Sequence, residues 1–111
     1  MNTCLELKEK DKNKLIKLFL DHAKKVEADH DVKTDGDNTD YWNALELDDG
    51  SFVDYNFHMM SEWSDSDRSW TCEVYPVDPP TEDNKYHSIN TNYTLLLAFY
   101  HPKTQQLEIE T

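Results

Sequence analysis

Apolar residues recur at helical spacing between about Asp11 and Asp29. Leu15, Phe19, Ala23 and Val26 form one stripe, Ile16 and Leu20 widen it, and Lys12, Lys14, Lys17, Lys24 and Lys25 take the remaining faces. This pattern predicts an amphipathic helix, with Asp11 suited to its N-cap. From residue 41 onward the period changes to two. Tyr41–Leu47 and Ser51–Met60 flank Asp48-Asp49-Gly50, a hairpin signal. Val53, Tyr55, Phe57 and Met59 alternate with Asp54, Asn56 and His58, so one face of that strand is expected to be buried and the other polar.

Ser69–Tyr75 repeats the alternation through Trp70, Cys72 and Val74, and prolines 76, 79 and 80 are expected to end it and open a loop to about Asn90. Asn92–His101 is more continuously apolar and suits a central strand. His101-Pro102-Lys103-Thr104 turns it back into Gln105–Thr111, where Leu107 and Ile109 alternate with Glu108 and Glu110. The expected fold is α+β: one N-terminal helix packed on a mostly antiparallel sheet of four to five strands, forming a single domain over residues 1–111. With 37% apolar residues, three Trp, six Tyr and four Phe, the chain has enough to build a core.

Charge changes the picture most. The net charge is −12, from 23 acidic and 11 basic residues, beyond the magnitude of about 2–8 that solubility needs. Residues 1–25 hold seven Lys and four acids and sum to +3; residues 85–111 hold two of each and sum to zero. Residues 26–84 hold 17 acids against Lys33 and Arg68, a sum of −15. Such asymmetry points to a dedicated interaction face for a basic partner, and it excludes direct binding to nucleic acid or an anionic membrane. The Lys-rich helix is a solvated helix face in this reading. The N-terminus shows no secretory signal and no stretch is long and apolar enough to span a membrane, so the expected compartment is the cytoplasm.

Motifs of catalysis are missing. With two glycines the chain can hardly build a phosphate-cradling loop, and it holds no GxSxG or HExxH. Cys4 and Cys72 match no metal pattern, and the five histidines (22, 30, 58, 87, 101) have no ligand spacing. An EF-hand frame around Gly36 would put Lys33 third and Trp42 twelfth, where oxygen ligands are required. Residues 29–40 read as a solvated acidic loop, with an irregular divalent site in its DGDNTD stretch as the alternative. The expectation is no enzyme, no cofactor and no metal.

Carboxylates can stand in for phosphates, because alternate residues on one strand face lie about 6.6–6.8 Å apart, and a basic groove gains affinity by neutralising such charges. The candidates are Asp29, Asp31, Asp35, Asp37, Asp40, Asp48, Asp49, Asp54, Glu62, Asp65, Asp67, Asp78, Glu82 and Asp83. Trp63, between Glu62 and Asp65, is a candidate interface anchor, whereas Trp42 and Trp70 are expected in or beside the core.

In size, in its helix before an antiparallel sheet, and in the segments DHDVKTDGDNTD, LDDGSFVD and SEWSDSD, the chain resembles the small acidic DNA-mimic proteins of Neisseria. The resemblance implies a protein that competes with DNA for a basic nucleic-acid-binding protein such as the histone-like HU, without enzymatic activity. Two other classes share this electrostatic logic: an immunity protein that neutralises a nuclease toxin, and a phage-borne nuclease inhibitor.

Overall fold

The computed structural model describes residues 6–28, 39–60, 69–79, 81–83, 85, 88–92 and 94–110. Helix α1 spans Glu9–Ala28, and the strands are β1 (Asp40–Glu46), β2 (Phe52–Met60), β3 (Ser69–Asp78), β4 (Ser88–Ile89), β5 (Leu96–His101) and β6 (Gln106–Glu110). The sheet order is β1-β2-β3-β5-β6, every pairing is antiparallel, and two-residue β4 joins β3 beside β5. The α+β expectation of a helix on an antiparallel sheet holds, with short β4 bringing the strands to six.

The helix begins two residues earlier than its pattern suggests. The Lys12 amide donates to the Lys8 carbonyl at 3.0 Å, closing the first turn. Asp11 therefore lies inside that turn and not at the N-cap. Glu9 and Asp11 in the first turn and Lys25 in the last suit the helix dipole. The stripe Leu15, Phe19, Ala23 and Val26 is buried, and it packs on β2, β3 and β5.

From the sheet the core takes Val53, Tyr55 and Phe57, then Trp70, Cys72 and Val74, then Leu96, Ala98 and Tyr100. Aromatic contacts join the layers: Phe19 meets Phe57 at 5.3 Å between ring centroids, and His22 stacks on Tyr41 at 4.8 Å. Trp70 is fully buried, and its Nε1–H donates to Glu27 Oε1 at 2.9 Å, which satisfies the one polar atom of its ring. Cys72 is a small core residue, its thiol pushed up to about 12 by burial.

Two details depart from the sequence reading. Strand β3 does not stop before Pro76 but continues to Asp78, opposite Val53 at the proline and beside β4 at its end. The Val74 carbonyl accepts from Leu95 and the Pro76 carbonyl from Asn90. The Pro76 nitrogen points to that same side, into the junction between β5 and β4, where its missing N–H deprives no ladder. Trp42 is 49% exposed, because β1 is an edge strand and position 42 falls on the phase away from the helix.

The β1–β2 connection follows the hairpin prediction. The Gly50 amide donates to the Leu47 carbonyl at 2.9 Å, and the Leu47 amide donates to the Ser51 carbonyl at 2.8 Å. Gly50 has φ +84°, as a three-residue loop closed by a glycine bulge requires. No described helix is long and apolar enough to cross a membrane.

Candidate protein-binding face

Side chains alternate across a strand, so the register assigns every strand residue to one of two faces. Val53, Tyr55 and Phe57 point to the helix. The other phase carries Trp42, Asn56, Glu73, Leu97 and Glu110 in one cross-strand row, and Asp40, His58, Thr71, Phe99 and Glu108 in the next. A third row holds Ala44, Asp54 and Tyr75. Among the described residues six carboxylates share this phase, from Asp40, Glu46, Asp54, Glu73, Glu108 and Glu110, and no strand residue of the phase is Lys or Arg. No described helix or strand packs over it.

The acids are held differently. Asp40 Oδ1 accepts from Asn56 Nδ2 at 2.7 Å, and Asn56 Oδ1 in turn meets His58 Nδ1 at 2.5 Å. Because the Asn56 amide group faces Asp40, its oxygen is the acceptor and His58 Nδ1 carries the proton in that contact. Glu73 Oε2 accepts from the Tyr75 hydroxyl at 2.5 Å. Burial first, and the Glu73 carboxylate second, push Tyr75 up to about 12, so it stays a neutral donor. Its ring lies nearly parallel to Trp42, with centroids 6.5 Å apart and planes 19° apart. Glu46, Glu108 and Glu110 are exposed, the last two about 6.8 Å apart along one strand.

Asp54 stands apart. It is only 8% exposed, its Oδ2 has no hydrogen-bond partner, and burial pushes its pKa up to about 6. Among the described candidates it is therefore the buried one, on the same phase as the exposed acids.

Other candidate acids lie elsewhere. Asp48 and Asp49 occupy the β1–β2 turn, near the lysines at the start of the helix. Lys10 Nζ meets Asp48 Oδ2 at 2.8 Å, and that hydrogen bond and charge hold Asp48 below the usual carboxylate range, with Lys14 and Lys8 adding to the effect. Asp49 is lowered by the hydroxyl and amide of Ser51, both donating to its Oδ1. Asp78 ends β3 opposite Ser88, and Glu82 and Asp83 are exposed in the connection to β4. Asp29, Asp31, Asp35, Asp37, Glu62, Asp65, Asp67 and Trp63 lie outside the described residues.

The face therefore unites Asp40 and Asp54 with four acids, Glu46, Glu73, Glu108 and Glu110, that were not among the candidates. Glu108 and Glu110 belong to a neutral C-terminal segment, and Glu46 and Glu73 sit singly within strands. The signal that finds them is strand phase once the register is known. Among the described residues no three His, Cys, Asp or Glu side chains converge to hold a metal ion. Comparison with known protein families, curated proteins and solved structures returned no match.

Proposed function

We propose that this chain is an acidic decoy that binds a basic nucleic-acid-binding protein, of which the histone-like HU is the type, and competes with DNA for it. The observation that carries the reading is the helix-free face of the sheet, with six carboxylates and no Lys or Arg on its phase among the described residues. Such a surface repels nucleic acid and attracts a groove lined with Lys and Arg, which gains by exchanging phosphates for carboxylates. The activity requires no catalysis and no cofactor. Its place is the cytoplasm, where proteins that bind nucleic acid work.

Titrating the chain into a fluorescent duplex DNA–HU complex tests this. DNA release is expected at about 50 mM salt and should fade by about 200 mM. Glu73→Gln, Glu108→Gln and Glu110→Gln together should weaken it, while Lys24→Ala with Lys25→Ala should leave it unchanged. Sensitivity to the lysines alone would overturn the reading.

A specific observation favours a second reading, the immunity protein or phage-borne inhibitor of a nuclease. Exposed Trp42, on the edge strand of the acidic face and stacked on Tyr75, has the character of a hot-spot anchor. In that case binding to a nuclease domain should survive salt, and Trp42→Ala should cost about 2 kcal/mol or more of affinity.

A further inference from the structure

A cleft opens on the helix-free face beside the edge strand β1. It has a volume of about 240 Å³ and is lined by Ala44, Phe52, Asp54, Val77 and Ile89. Among the described residues that line it, four are apolar and Asp54 contributes a carboxyl group. The small Ala44 side chain lies directly across β1–β2 from Asp54 and leaves room above it, whereas a larger residue would close the mouth. Val77 and Ile89 face each other across β3–β4 and form the far wall. Glu46, opposite Phe52, stands beside the cleft and is exposed.

Asp54 Oδ2 is the one buried side-chain nitrogen or oxygen without a hydrogen-bond partner among the described residues. An unmet buried carboxyl is costly, since it has lost its water without gaining a donor. That cost is already present in the unliganded protein, so a cation reaching it has to shed only its own hydration.

We propose that this cleft receives a lysine side chain of the basic partner, its methylene stem against Phe52, Val77 and Ile89 and its ammonium on the Asp54 carboxylate. The partner as the source of the lysine rests on the decoy reading above; the cleft chemistry stands on the geometry. Lysine fits better than arginine. Among the described lining residues a single carboxyl stands between apolar walls, which matches a compact point charge on an apolar stem, while a guanidinium would leave most of its five donors unpaired there. The net charge of −12 attracts proteins rich in such side chains. Burial disfavours the charged form and pushes Asp54 up to about 6, a penalty that a bound ammonium would offset.

The test uses N-acetyl-lysine methylamide as probe, followed by amide NMR shifts at Phe52, Asp54, Val77 and Ile89. The lysine probe should shift these signals, and the norleucine and arginine analogues should bind about tenfold more weakly or not at all. Asp54→Asn removes the charge and Ala44→Leu blocks the mouth while leaving every charge in place. Each should weaken the lysine probe about tenfold or more. No shift with lysine, equal binding by norleucine or arginine, or unaltered binding by Asp54→Asn would overturn the proposal. Tighter binding of free butylamine than of the lysine probe would overturn it too, by assigning the cleft to a small amine.

The DNA–HU competition separates this proposal from the decoy reading. If Asp54→Asn releases DNA as well as the unaltered chain does, lysine insertion fails and the decoy reading stands. If the unaltered chain releases no DNA while the lysine probe still binds, the decoy reading fails and the cleft chemistry stands.

Discussion

The two faces of strand β2 are built from one continuous run, Phe52–Met60, yet they have opposite chemistry. On the helix side Val53, Tyr55 and Phe57 are almost wholly removed from water, and Phe57 meets Phe19 and His22 of the helix. On the other side Asp54 and Asn56 are also buried, although among the described residues no helix or strand lies over them. The first face gains stability from apolar burial. The second spends some of it on an unmet carboxyl and on clustered like charges. A protein keeps such a face more readily for a partner than for folding, which makes the difference between the faces the clearest functional signal in the molecule.

The widest gap should appear in the core. Phe57→Ala, at 1% exposure, is expected to destabilise by about 3–5 kcal/mol, because it leaves a cavity between helix and sheet. Phe99→Ala on the half-buried phase should cost about 1–2 kcal/mol, since fewer contacts are lost. Urea unfolding of the two variants measures the contrast, and equal losses would abolish it.

Asp54 offers a sharper and opposite effect. Its folded pKa of about 6 exceeds the ordinary 3.8, so the native state holds that proton more tightly than the unfolded chain does. Below 3.8 both states are protonated and the group contributes nothing. Between 3.8 and about 6 stability falls as pH rises, and above about 6 the full penalty of the buried charge is present. Asp54→Asn should therefore be about 1–2 kcal/mol more stable than the unaltered chain at neutral pH, with the advantage gone below pH 4. Asp40, Glu46, Glu73, His58 and Tyr75 share the face and are unaltered in the variant, so the difference curve isolates Asp54. A flat difference across this window would show that Asp54 is ordinary.

The smallest effect belongs to the exposed pair on the helix side. Lys10→Ala removes the 2.8 Å contact with Asp48, but both side chains are more than two-thirds exposed. No measurable shift in thermal unfolding is expected, because solvent screens such pairs. A clear loss would mean that the lysines at the helix start anchor the β1–β2 turn.

Local patterns made much of the fold legible. The helix stripe, the β1–β2 hairpin and the antiparallel strands all follow from short-range periodicity and from the backbone freedom of Gly50. Pro76 misled because a missing N–H matters only where a neighbouring strand would accept from it, and that depends on β4 and β5. Trp42 misled because period two assigns it a phase without saying which phase the helix covers. The acidic face was half legible. Charge density along the chain singled out residues 26–84, but it passed over Glu108 and Glu110, which reach the face only through the β5–β6 pairing.

Composition and period alone established an acidic α+β chain with a covered face and an uncovered one, since these depend on side-chain type and on spacings of a few residues. Which carboxylates stand together, which one is buried without a partner, and which aromatic is exposed were decided by the tertiary structure. Those properties depend on strand register and on where α1 lands, and both bring together residues far apart in the chain.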